Sequence, residues 1–109
     1  MALIVTELAL EAIALVRPLI PFIQRRDRDL ASQLARAASS AALNSGEAEY
    51  NDPGNRRARF HTAAGSANEA RVALRAAVAW AHITAVQAQP PIALYNRVVG
   101  MRWRLSRGP

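Results

Sequence analysis

The sequence predicts an all-α protein, an antiparallel up-and-down four-helix bundle that assembles into a homo-oligomer. Three observations carry this. Apolar residues recur at three- and four-residue steps through four segments. Alanine, which loses no side-chain entropy in a helix, supplies 24 of the 109 residues. Short connections, one marked by Asn51-Asp52-Pro53-Gly54-Asn55 and another by Pro90-Pro91, separate the segments and favour antiparallel neighbours. The length suits one domain, residues 1–109, and is too short for two. An alanine core buries little area per residue, so the helices must approach closely, and further burial between subunits becomes attractive.

The first helix is expected over residues 4–25. Ile4, Leu8, Ala12, Leu15, Leu19 and Phe22 form its apolar stripe, with Glu7, Glu11 and Arg17 elsewhere on the wheel. Thr6 is a candidate N-cap. Pro18 and Pro21 each remove an internal hydrogen bond, which predicts a kink or an end near them. Arg25-Arg26-Asp27-Arg28-Asp29 is a charged connection, and Asp27 or Asp29 can cap a second helix over 29–50. Its inward stripe is Leu30, Leu34, Ala37 or Ala38, Ala41 and Ala48.

Asp52 and Pro53 then read as the N-cap and first position of a third helix, over 53–87. Phe60, Ala63, Ala67, Ala70, Leu74, Ala77, Ala81 and Thr84 line one face. Val72, Val78, Trp80 and Val86 lie partly off that face. A helix apolar on two sides has two neighbours, which points to self-association. Pro90-Pro91 should break the chain before a short last helix over 92–105, with Ile92, Tyr95, Val98, Val99 and Met101 or Arg102 around its wheel.

Composition limits the chemistry. There is no cysteine, so disulfides, thiol nucleophiles and cysteine metal sites are excluded. His61 and His82 are solitary, and the Glu-x-x-His pairs of a bundle di-metal site do not occur. Ser39 and Ser40 show no activating base, and the five glycines are too scattered for a phosphate loop. No cofactor, no metal and no enzymatic activity are expected. Charges and prolines interrupt the apolar first 23 residues, so the reading is a soluble, cytoplasmic protein with no membrane partner.

The net charge is +6, and all 14 basic residues are arginine. Biased codon usage is the bland explanation. The functional one is contact with phosphate, which the planar guanidinium grips bidentately. Clusters lie at Arg25, Arg26 and Arg28, at Arg56, Arg57 and Arg59, and at Arg102, Arg104 and Arg107 with Trp103 among them. Glu47, Glu49 and Asp52 can neutralise the middle cluster, and Asp27 and Asp29 the first. The last has no acidic neighbour and combines cations with an aromatic, the kit for phosphate contact and base stacking. Its alternative is that Trp103 anchors the last helix in the core.

If the second and third helices pack antiparallel about residue 52, facing residues have numbers summing to about 104. Arg36 then faces Asn68 and Glu69, Ser40 faces Ala64 and Gly65, and Asn44 faces Phe60 and His61. Gln33, Arg36, Ser40, Asn44 and Glu47, opposite Gly65, Ser66 and Glu69, describe a polar seam that fixes register, with an Arg36–Glu69 ion pair within it. A ligand-binding row is the alternative.

This hairpin resembles a known one. Leu30-x-x-Gln33-Leu34-x-Arg36-Ala37-x-x-Ser40, then Asn44 and Glu47, then Arg59-Phe60-x-x-Ala63-x-Gly65-Ser66-x-x-Glu69, is similar to the four-helix bundle proteins encoded in intervening sequences of bacterial 23S ribosomal RNA genes. Their relatives include the accessory variability determinants of diversity-generating retroelements. Ser45, Ala48 and Ala41-Ala42 depart from the usual family pattern. The resemblance implies a closed antiparallel bundle, a homopentamer with a basic surface, and a presumed role in binding RNA or DNA. In the retroelement branch it implies a reverse transcriptase as partner. No catalytic residues carry over. The expected function is a non-enzymatic, oligomeric scaffold binding nucleic acid through arginine–phosphate contacts. A protein-interaction adaptor is the alternative.

Overall fold

The computed structural model describes the backbone of residues 2–107 and the side chains of residues 4–101. Every described element is helical: α1 (Ala2–Val16), a 3-10 turn (Arg17–Leu19), α2 (Ile20–Gln24), α3 (Arg28–Ala48), α4 (Pro53–Ala79) and α5 (Ala85–Arg107). The segment α1–α2 acts as one member of the bundle. It packs on α3, α3 packs on α4, α4 on α5, and α1 closes the ring against α5. This is an all-α four-helix bundle with extents of 44 × 20 × 18 Å. Its long axis matches the 27 residues of α4, about 40 Å at 1.5 Å each.

In the first helix the inward stripe keeps the expected Leu8, Ala12 and Leu19 but takes Val5, Val16 and Ile23 in place of Ile4, Leu15 and Phe22. Val5, Leu8, Ala12, Val16, Leu19 and Ile23 are buried, whereas Ile4 and Phe22 are 48% and 42% exposed. Apolar residues surround this helix almost completely, so periodicity alone does not select a face. The expected interruption falls at Pro18, where the chain tightens into the 3-10 turn. Thr6 is no cap. It lies within α1 and donates to Glu49 Oε1 at 2.6 Å, joining the top of α1 to the end of α3.

Of the two candidates it is Asp27 that caps α3, accepting from the Leu30 N–H at 3.0 Å. Asp52 caps α4 in the same way, accepting from the Asn55 N–H at 3.0 Å. The backbone bond from Asn55 is the largest influence holding the Asp52 carboxyl below its ordinary range, and the side-chain amide of Asn55 acts in the same direction.

The core is alanine lined with a few large side chains. Ala12, Ala41, Ala67, Ala70, Ala77 and Ala88 are completely buried, and Leu34, Phe60, Leu74 and Tyr95 fill the space between them. Ser45, also buried, satisfies its hydroxyl on the carbonyl of Ala41 at 2.7 Å, one turn back.

The last connection differs most from expectation. The third helix stops at Ala79, and Ala81 and Thr84 lie beyond it, exposed rather than on its inner face. The stop is a Schellman motif: the His82 N–H bonds the Ala77 carbonyl at 2.8 Å and the Ala81 N–H the Val78 carbonyl at 2.9 Å. Ala81, where glycine is usual, takes φ 61°. Thr84 and Gln87 then form a capping box, the Gln87 N–H donating to Thr84 Oγ1 at 3.1 Å and the Thr84 N–H to Gln87 Oε1 at 2.8 Å. Pro90 and Pro91 do not break the chain but sit inside α5. They strand the carbonyls of Val86 and Gln87, two exposed residues of its first turn, where water replaces the lost donors.

Candidate nucleic-acid interface

The hairpin of α3 and α4 is held by a continuous polar ladder. Ser40 Oγ and Ser66 Oγ are 2.7 Å apart. Asn44 Nδ2 donates to Ser40 Oγ at 3.1 Å and to the Ser40 carbonyl at 2.9 Å. Its Oδ1 accepts from Arg59 Nη1 at 3.2 Å, and Arg59 Nε lies 3.2 Å from Glu47 Oε2. The pairs Ser40–Ser66 and Glu47–Arg59 both sum to 106 in residue number, close to the register expected from the turn.

The other expected seam residues do not join this ladder. Gln33, Arg36 and Glu69 are exposed and line an open groove of about 810 Å³, its floor formed by Ala37 and Ala73. Arg36 and Glu69 form no ion pair. Gly65 is exposed, and a Cβ added to it would meet nothing within 4 Å. The helices therefore close tightly where serine meets serine, and diverge where longer side chains line both walls.

Among the described side chains Arg59 alone pairs with a carboxylate. Its neighbour Arg57 is exposed, and Arg56 is half-buried with Nε lacking a partner. Arg71 binds Asn96 Oδ1 at 2.8 Å and Asn68 Oδ1, tying α4 to α5. The backbone of α5 continues helically through Arg107. The side chains of Arg102, Trp103, Arg104 and Arg107 lie outside the described residues. Among the described residues no group of three or more metal-binding side chains comes together, and no helix is long and apolar enough to cross a membrane.

Sequence reasoning named the cluster of Arg25, Arg26 and Arg28 but did not bring Trp80 to the same end of the bundle. In the fold the connections 25–27 and 80–84 lie at the same end of the bundle, because α3 begins where α4 finishes. Trp80 is 70% exposed and stacks on His82, with ring centroids 6.5 Å apart and planes within 12°. The Arg25 guanidinium lies over the Phe22 ring at 5.1 Å. The available signal was a single aromatic, Phe22, just ahead of Arg25, Arg26 and Arg28, together with a tryptophan just off the apolar face.

No protein-family model matches the chain, and no curated protein matches it by sequence. Among solved structures it is similar to a protein of unknown function from the S23 ribosomal protein family of Bacteroides thetaiotaomicron. The two are 20% identical, the alignment covers 95% of this chain and 99% of that one, and the TM-score is 0.83. At that identity the likeness establishes a shared fold: this chain has the four-helix architecture of a protein from that family.

Proposed function

We propose that this chain is a non-enzymatic, basic scaffold that self-associates and contacts nucleic acid through arginine–phosphate pairs. One observation carries the reading: the positive charge is entirely guanidinium, and among the described arginines only Arg59 has a carboxylate partner. Arg25, Arg26, Arg28, Arg36, Arg57, Arg75 and Arg97 all stand exposed. Guanidinium groups displayed in this way contact phosphates along a backbone without reading sequence. Arg102, Trp103, Arg104 and Arg107 follow Arg97 along the same helix, α5, and add four residues to the proposed contact set.

Self-association is supported by the α3–α4 face. Val72, 49% exposed, lines the groove that carries Arg36 on one wall and Glu69 on the other, and Leu43, 67% exposed, lines a second groove with Arg36 and Glu47. A face with apolar residues and both signs of charge suits a protein neighbour. The same face favours, as a second reading, an adaptor that recruits another protein, a reverse transcriptase among the candidates. The homopentamer follows from the family resemblance and is tested by light scattering at micromolar concentration, where a monomeric mass removes it.

The experiment for the main reading is binding to a generic duplex and to a structured RNA at two salt concentrations. Neutralised phosphates release counterions, so affinity must fall as salt rises. An adaptor instead retains its protein partner in a nuclease-treated lysate and shows no such nucleic-acid binding.

A further inference from the structure

We infer that the end of the bundle formed by the 25–27 and 80–84 connections is a stacking platform for unpaired nucleobases, with Trp80 as its principal surface. The inference deepens the nucleic-acid reading and rests on it.

Trp80 is the starting point. A tryptophan 70% exposed leaves most of a large apolar ring in water, at the C-cap of a helix whose inner face has many buried positions. Its ring is held in place. The Schellman motif forces Ala81 into the left-handed region, a conformation that costs an alanine energy. The turn places His82 so that its ring stacks on Trp80 at 6.5 Å. Strain of this kind persists where the surrounding structure over-determines it, and such positions cluster at ligand contacts. The result is a stacked indole–imidazole pair whose indole is largely exposed.

The charge beside it suits a polyanion. By the α3–α4 register, Arg28 lies level with Val78, one turn or less from Trp80. Arg25 and Arg26 occupy the other connection at this end, and the Arg25 guanidinium carbon sits 5.1 Å from the centroid of Phe22, itself 42% exposed. A guanidinium plane on an aromatic ring offers a second stacking face that also carries charge. Of the two carboxylates here, Asp27 is engaged in capping α3, leaving Asp29. Aromatic faces backed by arginines bind single strands with little regard to sequence, because every base has a π-face. A paired duplex presents its bases edge-on in the grooves and offers a face only at its two ends.

Trp80 and Trp103 are the only tryptophans, so Trp103→Phe makes Trp80 the sole indole reporter. In that parent, titration with oligothymidylate should quench Trp80 fluorescence, and a blunt duplex of equal length should quench it far less. Adding Trp80→Ala should weaken single-strand binding roughly ten- to hundred-fold with the salt slope unchanged, while Trp80→Phe retains most of the affinity. Circular dichroism and sizing of each variant accompany the titration. Salt-dependent binding with no quench, and with Trp80→Ala equal to the parent, overturns the platform and leaves the phosphate-contact reading standing. Loss of self-association in Trp80→Ala places the ring between subunits and also overturns it. No binding of either nucleic acid at low salt overturns both.

Discussion

Replacing Ala81 with glycine should stabilise the protein, although glycine is the weaker helix residue. Ala81 is exposed, stands two residues beyond the end of α4, and has φ 61°. For an L-residue the left-handed conformation costs about 1–2 kcal/mol, because Cβ crowds the following carbonyl oxygen. Glycine removes that cost but adds about 0.4–1 kcal/mol of unfolded-state entropy. The net gain is about 0.5–1 kcal/mol, equivalent to roughly 2–6 °C in Tm for a domain of this size. Ala35→Gly, at an exposed position inside α3, is the control. It has no strain to relieve and should cost about 1 kcal/mol. Thermal melts at one fixed protein concentration, needed because the proposed self-association would make Tm depend on concentration, compare the two variants. Opposite signs are expected. If Ala81→Gly lowers Tm as Ala35→Gly does, the left-handed turn, and with it the reasoning about how Trp80 is presented, is wrong.

Other substitutions test other parts of the structure. Tyr95 is completely buried, its hydroxyl has no hydrogen-bond partner, and burial pushes its pKa up to about 12. Tyr95→Phe should therefore be neutral or stabilising by about 1 kcal/mol in urea melts, and a loss of that size would show that the hydroxyl has a partner. The folded pKa lies above the unfolded value near 10, so this tyrosine's stabilising contribution is complete below pH 10 and is lost as pH rises toward 12. Its limit is roughly 3 kcal/mol, and Tyr95→Phe should abolish that part of the alkaline decline. Asp27→Ala, which removes the cap of α3, should cost about 1 kcal/mol. Arg36→Glu should leave stability within about 0.5 kcal/mol of wild type, since Arg36 is exposed and unpaired; a loss above 1 kcal/mol would restore the Arg36–Glu69 seam.

The elements that sequence reveals best are those announced by local chemistry. Asp27, Asp52 and Pro53 mark helix starts through side-chain and ring geometry that acts within three residues, and all three stand where expected. The α3–α4 register follows from one turn, and the serine pair 40–66 lies two residues from the predicted facing positions. Thr84-x-x-Gln87 announces the start of α5, but the end of α4 was illegible for an equally physical reason. Its stop signal is a left-handed alanine, which has no composition cue. The two prolines that look like a break fall where solvent accepts the stranded carbonyls. The partly exchanged stripe of α1 shows the limit of periodicity in a helix apolar on most sides. Charge was readable, but its partners were not. Which arginine meets Glu47 depends on the ladder through Asn44, and only the fold reveals it.

The most direct test of the central claim is the salt dependence of nucleic-acid binding by the purified protein. If three arginines neutralise phosphates on a duplex, the slope of log K against log salt is about −2.7, a weakening of roughly forty-fold over a fourfold rise in salt. The account predicts a slope at least that steep, made shallower by neutralising one arginine cluster at a time. A flat isotherm, or no binding at low salt, would contradict it and make the positive charge incidental to function.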